Sequence, residues 1–451
     1  MAEDNLQRKL GLFPATNIVV ANMIGAGIFT TSGLLMAGLN NPVLMLALWV
    51  IGGIIALCGA LSYGELGAAM PGAGGEYLFL SRLYHPIFGF LSGWVSFMVG
   101  FSAPIAASAM GFSEYFCRAL PAIPSWFESA GIMDPVSTRT FLSVIVILIF
   151  TFIHYRGIKS GALIQNVLTI LKVALIMFLL LAGFLSGKGD ISNFRSVGGI
   201  SSGLAGWKTI GLSLMWIMFA YSGWNASTYL GAEIKNPSKI LPRSLIYGTG
   251  IVIFLYLSIN ILYVYGIKPE EMKGVISIGG LAMGNLFGQS ADTLFSLLIA
   301  FALFSSLSAF IIIGPRVYYS MAKDGLFFKS IARIHSKFQV PSNSIVLQCL
   351  IAIILALSGT FEQVLTYMGF ALGIFPILTV IGVVRLRKVY PSSIRMAGYP
   401  YTQILYVTTG VLILILSFLE RPVESSIASL TVLAGVPAYY LFKKTTQSSP
   451  D

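Results

Sequence analysis

Long uncharged runs follow one another along nearly the whole chain, and within each the apolar pattern is continuous rather than alternating. Residues 10–64 contain no Asp, Glu, Lys or Arg, which is room for two membrane-spanning helices at about 20 residues each. Further charge-free runs cover 83–113, 140–155, 209–232, 244–267, 293–315, 338–361, 363–384, 396–419 and 425–442, and Lys172 alone interrupts 160–187. With the first run counted twice, the pattern predicts twelve transmembrane helices over 12–39, 42–69, 83–118, 137–155, 160–186, 207–232, 241–266, 291–321, 343–358, 362–386, 402–419 and 424–442. Asn40-Asn41-Pro42 divides the first run, with the proline placed to open a helix. A β-barrel would need alternation, so the fold class is an all-α integral membrane protein.

Composition sharpens this picture. Only 10% of the 451 residues are charged, where a soluble domain carries roughly 25%. Disorder is excluded by 31 Phe, 20 Tyr and 6 Trp. The net charge of +11 is spread thinly between apolar runs, so no basic face exists for nucleic acid; the bilayer is the expected partner. Lys and Arg divide nineteen to eight between the two sets of loops, with Lys172 left within the membrane. The richer set shares its side with both termini, which predicts a multi-pass protein of the cell (inner, cytoplasmic) membrane with both termini cytoplasmic. The segment Met1–Gln7 lacks the basic start of a secretory signal, so the first helix is expected to stay. Cys58, Cys117 and Cys349 sit singly in apolar helices, and His85, His154 and His335 lie far apart. No nucleophile elbow, phosphate loop or zinc motif is present, so no catalytic residue, metal or cofactor is expected. Asn225-Ala226-Ser227 matches a glycosylation site but falls within a predicted helix.

Two glycine interruptions carry the chemistry. The first helix contains Asn22-Met23-Ile24-Gly25-Ala26-Gly27-Ile28-Phe29, and the sixth contains Phe219-Ala220-Tyr221-Ser222-Gly223-Trp224-Asn225. Glycine in a helix interior costs roughly 0.5–1 kcal/mol relative to alanine. Small residues also serve close helix packing, but the placement of these two breaks points further. The blocks 12–186 and 207–387 each hold five helices, and each break falls in the first helix of its block. An odd helix number inverts the second block, and matched interruptions in inverted halves mark a transporter binding site. Unwinding at Gly25–Gly27 exposes N–H groups suited to a carboxylate. Unwinding after Phe219 is expected to free the carbonyls of Phe219, Ala220 and Tyr221 for an ammonium group. A zwitterionic α-amino acid carries both charges.

At these residues the chain resembles the amino acid–polyamine–organocation (APC) superfamily, and within it bacterial permeases close to the L-type transporter light chains. Matching strings are Ile24–Phe29, Ser62-Tyr63-Gly64-Glu65-Leu66-Gly67, Pro71-Gly72-Ala73-Gly74-Gly75-Glu76-Tyr77, Phe219–Asn225, Glu233-Ile234-Lys235-Asn236-Pro237 and Arg316–Gly325, in order from about Gly11 to Lys388. The resemblance implies two inverted five-helix repeats, 12–186 and 207–387, two further helices within 402–442, and short cytoplasmic tails at 1–11 and 443–451. It implies a secondary transporter of amino acids working by alternating access, by exchange or proton-linked uptake; the runner-up is a proton-coupled cationic amino acid or polyamine permease. Gly25, Ala26 and Gly27 would meet the substrate carboxylate, and the carbonyls of Phe219, Ala220, Tyr221 and Ser222 its amine, with Ile24 and Gly223 also in the substrate-binding set and Phe219 as gate. Some relatives carry an acid at the place of Ser222, so its absence points to neutral substrates. Lys172 would replace a bound Na⁺, reaching a carbonyl near Asn22–Gly25 and Ser305, Ser306 or Ser308. Glu65 is expected to pair with a Lys or Arg. Loop 119–136 has no Cys, so nothing supports a disulfide-linked heavy chain. Ser102, Ala103, Pro104 and Phe370 are candidate pocket linings.

Overall fold

Helix starts and stops follow local chemistry closely enough to set the frame of the site. The computed structural model describes residues 8–72, 74–156, 161–195, 199, 202–333, 335, 340–391 and 394–447; residues 1–7 and 448–451 of the two predicted cytoplasmic tails lie outside them. Among the described residues the chain forms α-helices, short 3₁₀ and π turns, and a single backbone bridge between Leu10 and Ile234. The first half holds α1 (Leu12–Met23), α2 (Ala26–Leu39), α3 (Pro42–Ala69), α4 (Glu76–Leu83), α5 (Pro86–Val95), α6 (Ser102–Ala119), α7 (Ala122–Ser129), α8 (Pro135–Tyr155) and α9 (Gly161–Leu185). The second holds α10 (Leu204–Ala220), α11 (Pro237–Gly266), α12 (Pro269–Met272), α13 (Ile278–Phe287), α14 (Gln289–Lys323), α15 (Ser342–Ser358), α16 (Phe361–Val389), α17 (Tyr401–Glu420) and α18 (Pro422–Gln447).

Nine helices among the described residues are long and apolar enough to cross a membrane, with the α1–α2 pair and the α5–α6 pair each counted as one. Shorter apolar helices are α10, α13, α15 and the Thr169–Leu185 part of α9. Outward faces expose Phe178, Phe254, Leu350, Leu357, Leu412 and Leu430, an apolar surface that suits lipid. The protein is thus a multi-pass membrane protein.

Each apolar segment read from the sequence contains a helix, and the departures have local causes. Asn40 ends α2 in the left-handed region, Asn41 accepts a hydrogen bond from Leu44 N–H, and Pro42 opens α3. The predicted span 83–118 is divided. His85-Pro86 starts α5 afresh, and Ser96–Gly100 winds as a π turn. Pro104 cannot donate to the carbonyl of Gly100, and in the π turn itself Phe101 N–H bonds Ser96 O at 3.1 Å while Ser102 Oγ bonds Phe97 O at 2.9 Å. The predicted helix 207–232 stops at Ala220, and only 3₁₀ turns follow at Ala226–Tyr229 and Gly231–Glu233. Asn236 in the left-handed region and Pro237 then open α11.

The two broken helices meet in the middle. α1 packs on α11, α2 on α10, α3 on α11, α6 on α14 and α10 on α17. The backbone of Lys9 and Leu10 bonds Glu233 O, and Lys235 N–H bonds Leu10 O, each at 2.9 Å. The segment after α10 therefore lies at the end of the bundle where the chain enters it.

Glu65, at the end of α3, is paired with Arg387 rather than lining the site. The guanidinium meets both carboxylate oxygens, at 2.6 and 2.8 Å, and Met396 N–H adds a third bond at 2.9 Å. Because the Glu65 side chain is fully buried, removing the cation leaves a stranded charge, which costs about 3–5 kcal/mol. Arg387→Met is expected to lower the thermal unfolding midpoint in detergent sharply, and Arg387→Lys to restore it only in part, because a lysine cannot form the bidentate pair.

Candidate functional site

Between α1 and α2 the chain leaves the helix for two residues, Ile24 and Gly25, with Gly25 extended (φ −118°, ψ −155°). Gly25 has no side chain to cap the new helix, so the first N–H groups of α2, on Ala26 and Gly27, find no partner within their own helix. Packing explains why this stretch is small. A Cβ on Gly27 would lie 2.6 Å from Ala220 Cα, so the start of α2 rests directly on the end of α10. The reciprocal contact is Gly223, whose φ of +96° turns the chain away after α10 and whose Cβ would lie 2.8 Å from the Asn22 backbone. The breaks are built against each other.

The carbonyls expected to be free after Phe219 are mostly engaged. Ser222 N–H bonds Phe219 O at 2.8 Å, because the tightened last turn of α10 uses an i→i+3 bond. Tyr256 O–H, from α11, sits 3.1 Å from Ala220 O and 2.6 Å from Met23 O. This one hydroxyl joins the ends of both breaks, and no local pattern marks it, since its partners are 233 and 36 residues away. Each carbonyl keeps a second lone pair for a ligand. Removing the hydroxyl in Tyr256→Phe takes away the one proton that the two buried carbonyls share, at about 1–3 kcal/mol. A lower unfolding midpoint in detergent, with weaker protection by substrate, is the expected result.

Lys172 is buried in α9 and its ammonium donates to Ile24 O at 2.7 Å and Ser306 Oγ at 2.8 Å. Ser306 Oγ also lies 3.1 Å from Ile24 O, so cation, hydroxyl and break carbonyl form one triangle. The other two serines are placed differently: Ser308 Oγ is 3.0 Å from His154 Nε2, and Ser305 is fully buried in the same turn of α14. Successive helical residues point about 100° apart, and Ser306 is turned toward the lysine.

Two cavities adjoin the breaks and share Asn22, Pro104, Phe219, Ser222 and Phe310 as lining. The smaller, about 10 Å³, touches Gly25, Ala26, Gly27 and Ala220. The larger, about 150 Å³, runs past Gly223 to Glu76, Ser92 and Asn225. Ile24 and Tyr221 line neither: Ile24 is buried, and Tyr221 turns its hydroxyl to Trp49 O at 3.1 Å. Of the remaining candidates Pro104 lines both, Ser102 is spent on Phe97 and Gln348 carbonyls, Ala103 is buried, and Phe370 packs on Phe418.

On the α2 side the breaks are sealed. Gly33 presses on Val275 O, Gly274 N–H bonds Gly33 O at 2.8 Å, and Tyr115 O–H bonds Phe29 O. Beyond them Arg118 clasps Asp292 through two bonds of 2.7 Å. A central polar backbone site, closed on one side and continuous with a cavity on the other, suits passage of a small zwitterion.

Comparison of the sequence with known proteins gives the family. The sequence profile described as amino acid permease matches residues 10–437. The chain is 29% identical over 456 aligned positions to the serine/threonine exchanger SteT of Bacillus subtilis (strain 168), covering 99% of each. It is 27% identical to the large neutral amino acids transporter small subunit 2 of Mus musculus, over 97% of this chain and 81% of that one. The b(0,+)-type amino acid transporter 1 of Mus musculus is 26% identical, over 97% and 88%. With a match running nearly end to end across the broken helices, the chain belongs to the amino acid permease family of the APC superfamily, a family of membrane transporters and not of enzymes.

Proposed function

We propose that this protein is a secondary active transporter of neutral L-amino acids, working by alternating access through exchange or proton-linked uptake and without Na⁺. The observation that carries the reading is the meeting of two broken helices beside a cavity, with the Lys172 ammonium on the carbonyl of Ile24. In this reading the N–H groups after Gly25 hold the substrate carboxylate, second lone pairs on the carbonyls of Phe219 and Ala220 hold its amine, and Phe219 gates the passage between the two cavities. A fixed ammonium at Ile24 does the work of an ion, so transport needs no Na⁺. Twelve spans in two inverted five-helix repeats, with both termini in the cytoplasm of the cell membrane, would make the larger cavity the inward path. Ser222 leaves the amine site without a side-chain charge, which favours neutral substrates, as does likeness to relatives named for serine, threonine and large neutral amino acids. No cysteine in loop 119–136 offers a disulfide to a second subunit.

Purified protein in liposomes loaded with an unlabelled neutral amino acid is expected to take up the labelled one saturably, at the same rate in Na⁺ and in choline. A panel of unlabelled competitors, with and without a pH gradient and internal substrate, separates exchange from proton-linked uptake. No saturable uptake, or uptake that requires Na⁺, would overturn the reading.

A further inference from the structure

The larger cavity holds an acid that this transport scheme leaves unused. Glu76 opens α4, the short helix between two spans, and its carboxyl is buried at the cavity wall. Among the residues lining that cavity it is the one Asp, Glu, Lys, Arg or His. Its Oε1 accepts from Tyr63 O–H at 2.7 Å and from Asn225 Nδ2 at 2.9 Å, while Oε2 has one long contact, 3.3 Å, to Ser92 Oγ. A carboxylate has about four acceptor positions, so Oε2 retains capacity. The groups facing it are Tyr63 from α3, Ser92 from α5, Asn225 and Tyr229 from the segment after α10, and Tyr406 from α17. Phenols, a hydroxyl and an amide supply no positive charge, and Glu76 makes no ion pair among the described residues.

A buried carboxylate without a counter-charge is costly, and the cavity it lines adjoins, across Asn22, Phe219 and Ser222, the smaller cavity at the backbone site that would hold an amino acid's α-carbon. The segment Ser222–Asn225 links the two ends: Ser222 lines both cavities, and Asn225 bonds Glu76. We propose that Glu76 is a side-chain subsite that accepts the ammonium or guanidinium end of a long basic substrate, so that the cavity takes arginine-like as well as neutral amino acids. The inference rests on the transport reading above and extends its substrate class. It also assigns to α4 a role that the residue at position 222 cannot fill. Burial pushes the Glu76 carboxyl up to about 7, so the acid is ionised above that pH and neutral below it, whereas a guanidinium stays charged throughout. The preference for a cation therefore grows with rising pH.

Arginine and citrulline, alike in length and shape but not in charge, isolate this effect. In proteoliposomes of the full chain taking up labelled serine at pH 8, arginine is expected to compete about tenfold better than citrulline, the ratio that one charge-assisted bond of about 1.4 kcal/mol provides. At pH 6 the ratio should shrink toward one, and in Glu76→Gln it should be near one at both pH values, whatever the absolute rate of that variant. A wild-type ratio near one at pH 8 overturns the subsite, as does a ratio that persists in Glu76→Gln. Should uptake of every neutral amino acid be absent, the transport reading fails, and thermal protection in detergent decides the subsite alone: stronger protection by arginine than by citrulline at pH 8 upholds it, and equal protection overturns it.

Discussion

Lys172→Met is expected to cut amino acid exchange at least tenfold, on the scale of about 1.5–3 kcal/mol for a hydrogen bond to a charged group, while the yield of folded protein changes far less. Methionine matches the lysine stem in length and stays apolar, so the packing of α9 survives. What disappears is the ammonium that donates to Ile24 O and to Ser306 Oγ. The carbonyl is not left bare, because Ser306 Oγ already lies 3.1 Å from it and can donate in its place. That residual bond is the reason to expect folding to tolerate the change. The charge itself has no such substitute. Ile24 is one of the two non-helical residues between α1 and α2, so the ammonium holds the break at the point where α2 begins. Lys172→Arg should not restore exchange, since a planar fork cannot occupy the place of a compact donor. Initial exchange rate and size-exclusion yield, measured side by side, separate the possibilities. Parallel loss of both would show that Lys172 is a structural prop.

Much of this site can be read along the chain, and what cannot be read has a common cause. The helices were visible as uncharged runs because a bilayer penalises charge wherever a span lies. The breaks were visible because glycine is expensive in a helix interior, and Lys172 because it is the single charge in a long apolar run. Their neighbours were not. Tyr256 stands in no motif, Asn225 and Glu76 stand in motifs that give them no role, and all three matter because packing brings together atoms separated by 233 or 149 residues. The choice among Ser305, Ser306 and Ser308 depends on the rotation of α14 about its axis, which an apolar run does not encode. The expectation of free carbonyls after Phe219 missed the partner of Ala220 for a related reason. It counted only the bonds lost within α10 and not the donor that α11 brings to Ala220. Glu65 and Glu76 make the same point as a pair. Both are buried acids, one near the end of α3 and one at the start of α4, yet one meets Arg387 and the other faces a cavity.

Gly27→Leu is expected to abolish uptake, and Gly25→Ala to spare much of it, although the two glycines are adjacent but one. A Cβ on Gly27 would sit 2.6 Å from Ala220 Cα and 2.7 Å from its Cβ, whereas a Cβ on Gly25 meets nothing closer than 3.9 Å. The obstacle at Gly27 is backbone, so no rotamer change relieves it. Either α2 or α10 must move by about an ångström, which opens the contact between the breaks. Overpacking of this kind typically costs about 1–3 kcal/mol. The functional loss should exceed the loss in stability, because Gly27 and Ala220 both line the small cavity and a leucine side chain would fill it. At Gly25 the backbone is already extended at negative φ, a conformation alanine adopts without strain. Competition for the N–H groups of α2 is therefore the test. If Gly27→Leu exchanges neutral amino acids at the wild-type rate, substrate does not pass between the broken helices. If Gly25→Ala fails as completely as Gly27→Leu, the effect is conformational rather than steric, and the packing of α2 on α10 does not set the site.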